Sequence, residues 1–256
     1  MIEQRTSHVL PPVAILCGGL ATRLHPVTLT VPKSMLEVAG KPFISHQLQL
    51  LVQAGFRHVV LLCGYLGDQI ENFVGDGSHF GCKVEYSFDG PDLLGTGGAV
   101  LRALPLLGPD FMLTYGDSYC ATNYRRIYEA FKASMKPALM TVFHNEDRWD
   151  RSNVEYRDHK IIRYDKSAPD ARMTYIDYGV SVFMARVFED RGQAAAFDLS
   201  SIQTDLVAKE QLAGLEVYER FYEIGKVSGL EAADSRLREL LAAADVFKSD
   251  PEEPIQ

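Results

Sequence analysis

Short apolar runs alternate with amphipathic stretches through the first 143 residues. Val13-Ala14-Ile15-Leu16-Cys17 is apolar throughout and stops at Gly18-Gly19, the pattern of a buried strand breaking into a loop. Leu20 to about Lys41 has no sustained period and is punctuated by Pro26 and Pro32, which predicts a long loop. Loops of this length inside a compact domain usually serve a function or are disordered. Pro42 opens a helix that runs through Phe43, Ile44, His46, Leu48, Leu51 and Val52 and stops at Gly55. A strand over His58–Cys63, a short helix over Leu66–Phe73, and an alternating strand over Lys83–Phe88 follow. A helix over Thr96–Leu104, a strand over Phe111–Tyr115 ending at Gly116-Asp117, a helix over Asn123–Ser134 and a strand over Ala138–Phe143 complete this half. Parallel strands need crossovers, so this order predicts a mostly parallel sheet covered by helices.

The second half changes character. Asn153–Tyr156 and Lys160–Tyr164 flank the polar tip Arg157-Asp158-His159 and read as a hairpin. A strand over Val180–Ala185, a helix over Ile202–Gln211, and a strand over Glu216–Ile224 ending at Gly225 follow. A closing helix over Ser228–Leu240 takes Ser228 as its cap, and a loose tail runs from Asp245 to Gln256. With no internal repeat and no Gly/Pro/Ser-rich linker, residues 1–244 read as one domain. Its two functional halves lie at about 13–143 and 144–240. The expected fold is a three-layer α/β sandwich, Rossmann-like, with an antiparallel excursion.

Composition narrows the partners. With 46% apolar and 23% charged residues, the chain has ample material for a core, which excludes a disordered chain. No apolar run reaches the roughly 18 residues that span a bilayer, so no membrane is expected. Met1 to Pro12 mixes Glu3, Gln4, Arg5 and His8 and has no apolar signal core, so a cytoplasmic location is expected. Asp and Glu number 34 against 26 Lys and Arg, a net charge of −8. That balance argues against nucleic acid, which needs clustered cations, but not against a small anion held by a few of them. Cys17, Cys63, Cys82 and Cys120 are scattered, with no C-x-x-C pair, and read as reduced core thiols.

The candidate chemistry begins at the first strand end. Gly18-Gly19 lets backbone N–H groups approach a ligand, and Arg23 and Lys33 on the same loop can both reach one polyphosphate. Lys33 follows Pro32 rather than Gly, which excludes a Walker A loop, and no G-x-G-x-x-G occurs here. Leu94-Gly95-Thr96-Gly97-Gly98-Ala99 is either a plain Gly-rich helix entry or a second ligand loop. Asp117 stands where a carboxylate can hold a cation beside phosphates or cap the next turn. The absence of G-x-S-x-G disfavours a hydrolase.

Gly18-Gly19-x-x-Thr22-Arg23-Leu24-x-Pro26-x-Thr28, followed by Pro32-Lys33, Val38 and Gly40-Lys41-Pro42, resembles the signature of the sugar-1-phosphate nucleotidylyltransferases, also called nucleotide-sugar pyrophosphorylases. The likeness spans roughly Val13 to Leu240, with Cys17 and Ala21 replacing residues that are often Ala or Gly. It implies Mg²⁺-dependent transfer of a nucleotidyl group from an NTP to a sugar 1-phosphate. Arg23 and Lys33 would be catalytic. Leu16, Gly18, Gly19, Gly95, Thr96 and Gly116 would bind the nucleotide. Asp117 and Glu223 would hold Mg²⁺, and Lys166, Asp165, Asn153 and Asp177 the sugar phosphate. Three of these stand where the family commonly differs: Glu223 for Asp, Asn153 for Gly, and Asp177-Tyr178-Gly179 for Asn-x-Gly or Gly-Gly. The Leu94–Ala99 wording is similar to guanylyltransferases acting on mannose or heptose 1-phosphate. Cytidylyl or uridylyl transfer, a phosphorylated non-sugar acceptor, and a non-catalytic nucleotide-sugar-binding subunit stay open, and the family allows a homo-oligomer.

Overall fold

In the computed structural model, which describes residues 9–189, 191 and 196–249, the first apolar run forms β1 (Val13–Leu16). Its side chains alternate between two cores: Val13 and Ile15 pack on one face of the sheet, Ala14 and Leu16 on the other. The expected long loop is folded into three 3-10 turns at Thr22–Leu24, Val27–Leu29 and Lys33–Met35. A ribbon of β2 (Glu37–Val38) and β3 (Lys41–Pro42) follows. Leu24, Leu36 and Val38 anchor this segment in a third cluster with Phe43, Ala233 and Leu237.

Helix α1 (Phe43–Ala54) ends at Gly55, whose φ of 107° is in the left-handed region. Then come β4 (His58–Cys63), α2 (Gly67–Val74), β5 (Lys83–Phe88), α3 (Gly95–Leu107), β6 (Asp110–Tyr115) and β7 (Ser118–Tyr119). Asn123 caps α4 (Tyr124–Ser134) by accepting the Arg126 N–H at 3.0 Å. β8 (Ala138–His144), the hairpin β9 (Val154–Arg157) and β10 (Lys160–Tyr164), and β11 (Tyr175–Met184) continue the sheet. Helices α5 (Arg186–Glu189) and α6 (Leu199–Ala208), strands β12 (Leu212–Val217) and β13 (Tyr222–Glu223), and α7 (Val227–Ser249) complete the described chain.

Nine strands form the main sheet, with the path β10-β9-β11-β6-β1-β4-β5, with β8 beside β11 and β12 beside β8. β1 runs parallel to β4 and β6, so the C-terminal ends of all three face one edge. β11 is antiparallel to both β6 and β8 and supplies the expected excursion. Residues of α1, α2 and α4 fill one core and those of α3 and α6 the other, giving three layers. All four cysteines are buried and free. Among the described residues, no helix is long and apolar enough to cross a membrane.

Several boundaries differ from the sequence reading. The strand expected over Glu216–Ile224 is two elements. β12 follows β8 in parallel register only as far as Val217 opposite Phe143, near the end of β8. The chain then leaves the sheet at Tyr218, which is 70% exposed, and Tyr222–Glu223 pairs instead with β7. β11 starts five residues earlier than expected, because its first residues pair with the end of β8 and with Val154. Ser228 lies in the first turn of α7 rather than at its cap, and α7 runs through Ser249, into the segment from Asp245 read as a loose tail. Residues 1–8 and 250–256, the remainder of the leader and tail readings, lie outside the described residues.

Candidate active site: two cavities that share Tyr115 and Asp117

The strand ends converge because the ladder continues past them. Cys17 N–H donates to Leu62 O at 2.8 Å and Gly116 N–H to Leu16 O at 2.9 Å. These bonds bring the chain after β1 against those after β4 and β6, and glycine is what allows it. A Cβ at Gly116 would sit 2.7 Å from Cys17 Sγ, and one at Gly18 would sit 3.1 Å from Gly64 N. At Gly19 an added Cβ would meet nothing within 4 Å, so it faces open space.

A cavity of about 250 Å³ opens at this point. Leu16, Gly18, Gly19, Lys33, Gly95, Thr96, Gly116 and Asp117 all line it, which unites the expected nucleotide residues with Lys33. The Gly-rich segment does a second job. Gly97 N–H and Gly98 N–H donate to Phe197 O at 2.9 and 3.4 Å, and Thr96 Oγ1 accepts the Leu199 N–H at 2.8 Å. A Cβ at Gly97 would lie 2.2 Å from the Phe197 ring, so this glycine seats Phe197 beside α3. Ser34 Oγ is buried at the cavity wall and has no hydrogen-bond partner among the described residues.

A second cavity of about 420 Å³ adjoins the first across Tyr115 and Asp117. It gathers Arg23, Asn153, Lys166, Asp177 and Glu223. Arg23, expected beside Lys33 on one polyphosphate, therefore lines the other chamber. Asn153 Oδ1 accepts the Asp177 N–H at 2.9 Å. Asp177 in turn accepts from Gly179 N–H at 3.1 Å and from Tyr164 O–H at 3.4 Å. The pairing of β11 with β8 shifts register between Asp177 and Ser181, and Gly179 takes a φ of 94° there. This bulge turns Asp177 toward the cavity rather than starting a plain strand. Asp165 does not line either of these two cavities. Its carboxylate pairs with Arg163 at 2.9 Å and accepts the Ser167 and Ala168 N–H groups, each at 2.9 Å. The turn after β10 consumes it, and those bonds hold its carboxyl below the usual range.

Two carboxylates flank the shared wall. Glu223 and Ser118 are register partners in the β7–β13 ribbon, and Ile224 N–H donates to Asp117 O at 2.9 Å. Lys33 Nζ lies 2.6 Å from Asp117 Oδ2, both side chains 19% exposed. Burial, and then the charge of Asp117, push the Glu223 carboxyl above its usual range, while Lys33 and Arg23 pull it back. Among the described residues, no three His, Cys, Asp or Glu side chains form a closed metal cage. Two carboxylates open to a cavity nevertheless fit Mg²⁺, which takes one or two of them and completes its shell with phosphate and water.

Three lining or supporting residues escaped the sequence reading. Gln47 is 3% exposed, and its Nε2 donates to Tyr115 O at 2.8 Å and Ser118 O at 2.7 Å, pinning the turn that carries Asp117. A signal existed: Gln47 falls on the apolar face of α1 between Ile44, Leu48 and Leu51, where a polar residue needs a partner. Asp89 lines the first cavity, accepts the Leu94 N–H at 3.2 Å, and is raised by burial above the usual carboxylate range. Tyr115, an aromatic residue ending a strand, gave no sign that it would divide two chambers.

A model of the nucleotidyl transferase family matches residues 13–226. The chain is 45% identical over 104 residues to an N-acetylmuramate alpha-1-phosphate uridylyltransferase of Neisseria meningitidis, covering 40% of this chain and 45% of that protein. It is 40% identical over 121 residues to a mannose-1-phosphate guanylyltransferase of Mycobacterium tuberculosis, covering 47% of this chain and 33% of the relative. The chain thus spans less than half the length of these two curated relatives. The solved structure of HddC from Yersinia pseudotuberculosis, complexed with GMP-PN, superposes with a TM-score of 0.73 at 23% identity. That superposition covers 89% of this chain and all of the other, and it shows the shared fold.

Proposed function

The chain belongs to the nucleotidyl transferase family, and from that premise we propose that it joins an NTP and a sugar 1-phosphate to give an NDP-sugar and pyrophosphate. The observation that carries this reading is the pair of cavities meeting at Tyr115 and Asp117. One chamber suits a nucleotide and the other a phosphorylated sugar, so the reacting phosphates would meet at the shared wall. A sugar-phosphate oxygen attacks the α-phosphorus in line, a P–O bond forms, and the bond to the leaving pyrophosphate breaks. The attacking phosphate is already ionised at neutral pH, so no general base is required. Catalysis reduces to positioning and charge stabilisation.

In this reading Gly18 and Gly19 offer backbone N–H groups to the phosphates, and Lys33 neutralises charge near the α-phosphate. Lys166 orients the nucleophile, and Arg23 lends positive charge to the reacting phosphates from the second chamber. Asp117 and Glu223 would hold Mg²⁺, which when bound supplies Lewis-acid charge neutralisation to the reacting phosphates. On nucleotide entry Lys33 would exchange its Asp117 partner for phosphate oxygens.

For the substrate pair we propose GTP with heptose or mannose 1-phosphate, supported by the Leu94–Ala99 wording and by the 40% identical guanylyltransferase. The 45% identical uridylyltransferase favours a second reading, uridylyl transfer. A matrix of NTPs against sugar 1-phosphates, scored by pyrophosphate release, separates the two. Inactivity across the whole matrix would sink the transfer reaction and leave a nucleotide-sugar-binding protein. Asp117→Asn at full activity would remove the metal assignment.

A further inference from the structure

The wall between the chambers is an aromatic ring with a hydroxyl on it. Tyr115 lines both cavities. Its carbonyl is gripped by Gln47, and a Cβ at Gly179 would sit only 3.6 Å from Tyr115 Cδ2, so the ring rests close to the β11 bulge. Lys166 Nζ donates to the phenol oxygen at 3.4 Å and lies 5.3 Å from the ring centroid. The phenol is therefore already an acceptor. Its own hydrogen has no acceptor among the described residues and is free to point at a ligand. Burial raises this phenol to about 12, so it keeps that hydrogen across the neutral range.

We propose that the Tyr115 hydroxyl binds the phosphate of the sugar 1-phosphate, forming with Lys166 a two-donor anchor at the border of the nucleotide chamber. The inference deepens the proposed reaction and rests on it. Its chemistry is that of any phosphate monoester: a neutral O–H and an ammonium, adjacent and held on β6 and just after β10, present two donors to oxygens of one anion. Because the ring also walls the nucleotide chamber, the anchored oxygen is held on the side from which the α-phosphate must be approached. Tyr115 contributes by position and not by proton transfer.

The test is Tyr115→Phe, which keeps the ring and deletes the donor. Hydrogen bonds to charged groups are strong enough that KM for the sugar 1-phosphate should rise about tenfold or more, with KM for the NTP within about twofold. Unchanged values, or equal rises for both substrates, would overturn the proposal, since a wall that merely packs would disturb both chambers. If Tyr115 acts only by parking Lys166, Tyr115→Phe will cost nothing further in a Lys166→Met background. The proposal expects a second, several-fold rise there. Thermal shifts with inorganic phosphate and a panel of sugar 1-phosphates give a readout independent of turnover. The panel member that most stabilises the wild type should stabilise Tyr115→Phe less. Equal stabilisation, or none in the wild type, overturns the anchor. A sugar 1-phosphate that binds through Tyr115 while no NTP releases pyrophosphate would sink the reaction and leave the anchor standing.

Discussion

Replacing Gln47 with Leu tests whether the shared wall is held from behind. Gln47 Nε2 donates two hydrogen bonds, to Tyr115 O and Ser118 O, from a site 3% exposed. Leu leaves both carbonyls without this donor, and a buried acceptor left unpaired costs about 1–3 kcal/mol, so the pair costs about 4 kcal/mol. Gln47 Oε1 is itself buried without a partner, and Leu removes that orphan, returning something on the order of 1 kcal/mol. Leu has nearly the same volume, so no sizeable cavity opens. The net loss is about 3 kcal/mol. For a chain of this size each kcal/mol moves the midpoint by roughly 2–4 °C, which places the expected drop at about 6–12 °C. The effect on turnover should be larger than the stability loss implies. The bonded carbonyls bracket Gly116 and Asp117, and a misplacement of about 1 Å at a reacting centre can cost about a hundredfold. The measurements are a melting curve and the initial rate of pyrophosphate release well below the midpoint. A variant that melts lower yet turns over like the wild type would refute the reasoning. It would mean that the β7–β13 pairing alone holds Asp117 in place.

Glu223→Gln should stabilise the protein while abolishing the proposed nucleotidyl transfer. Burial and Asp117 raise the Glu223 carboxyl, so the folded chain binds this proton more tightly than the unfolded chain does. Stability contributed by the group therefore falls as pH rises from the ordinary carboxylate range through the raised folded value. The advantage of Gln should be absent in acid and grow toward neutrality, and melting curves from about pH 4 to 8 that show Gln less stable at neutrality would contradict it. Two glycines should behave oppositely. Gly97→Ala drives a methyl into the Phe197 ring, with overpacking of about 1–3 kcal/mol partly offset by the roughly 1 kcal/mol helix preference for Ala, and should lower the melting midpoint. Gly19→Ala meets nothing, so its stability should stay within about 0.5 kcal/mol while KM for the NTP rises. Reversed ranks in melting and KM would refute the distinction.

The sequence was most legible where one segment decides one outcome. The apolar run Val13–Leu16 had to be buried on both faces, and the alternation with helices had to give a largely parallel sheet. Gly18-Gly19, Gly116 and Asp117 follow strand ends, and strand ends of a parallel sheet share an edge, so their meeting in one cavity could be read in advance. Asp165 shows the limit. A carboxylate beside Lys166 reads like a sugar ligand, but three local bonds hold Asp165 in the turn after the hairpin, outside both cavities.

What the sequence by itself determined, then, was the class of fold and a set of candidate groups for phosphates. Both follow from periodicity and from residue chemistry, which are local. Tertiary structure alone decided how those groups are shared between chambers. Arg23 and Lys33 sit on one loop, yet the 3-10 turns between them send one to each cavity. Glu223 reaches the site only because β12 runs out beside β8 and the chain turns back to pair with β7. Tyr115 is held at the border of the chambers by Gln47, Gly179 and Lys166, which are distant along the chain. Such contacts depend on strand order and register, which no short window of sequence encodes.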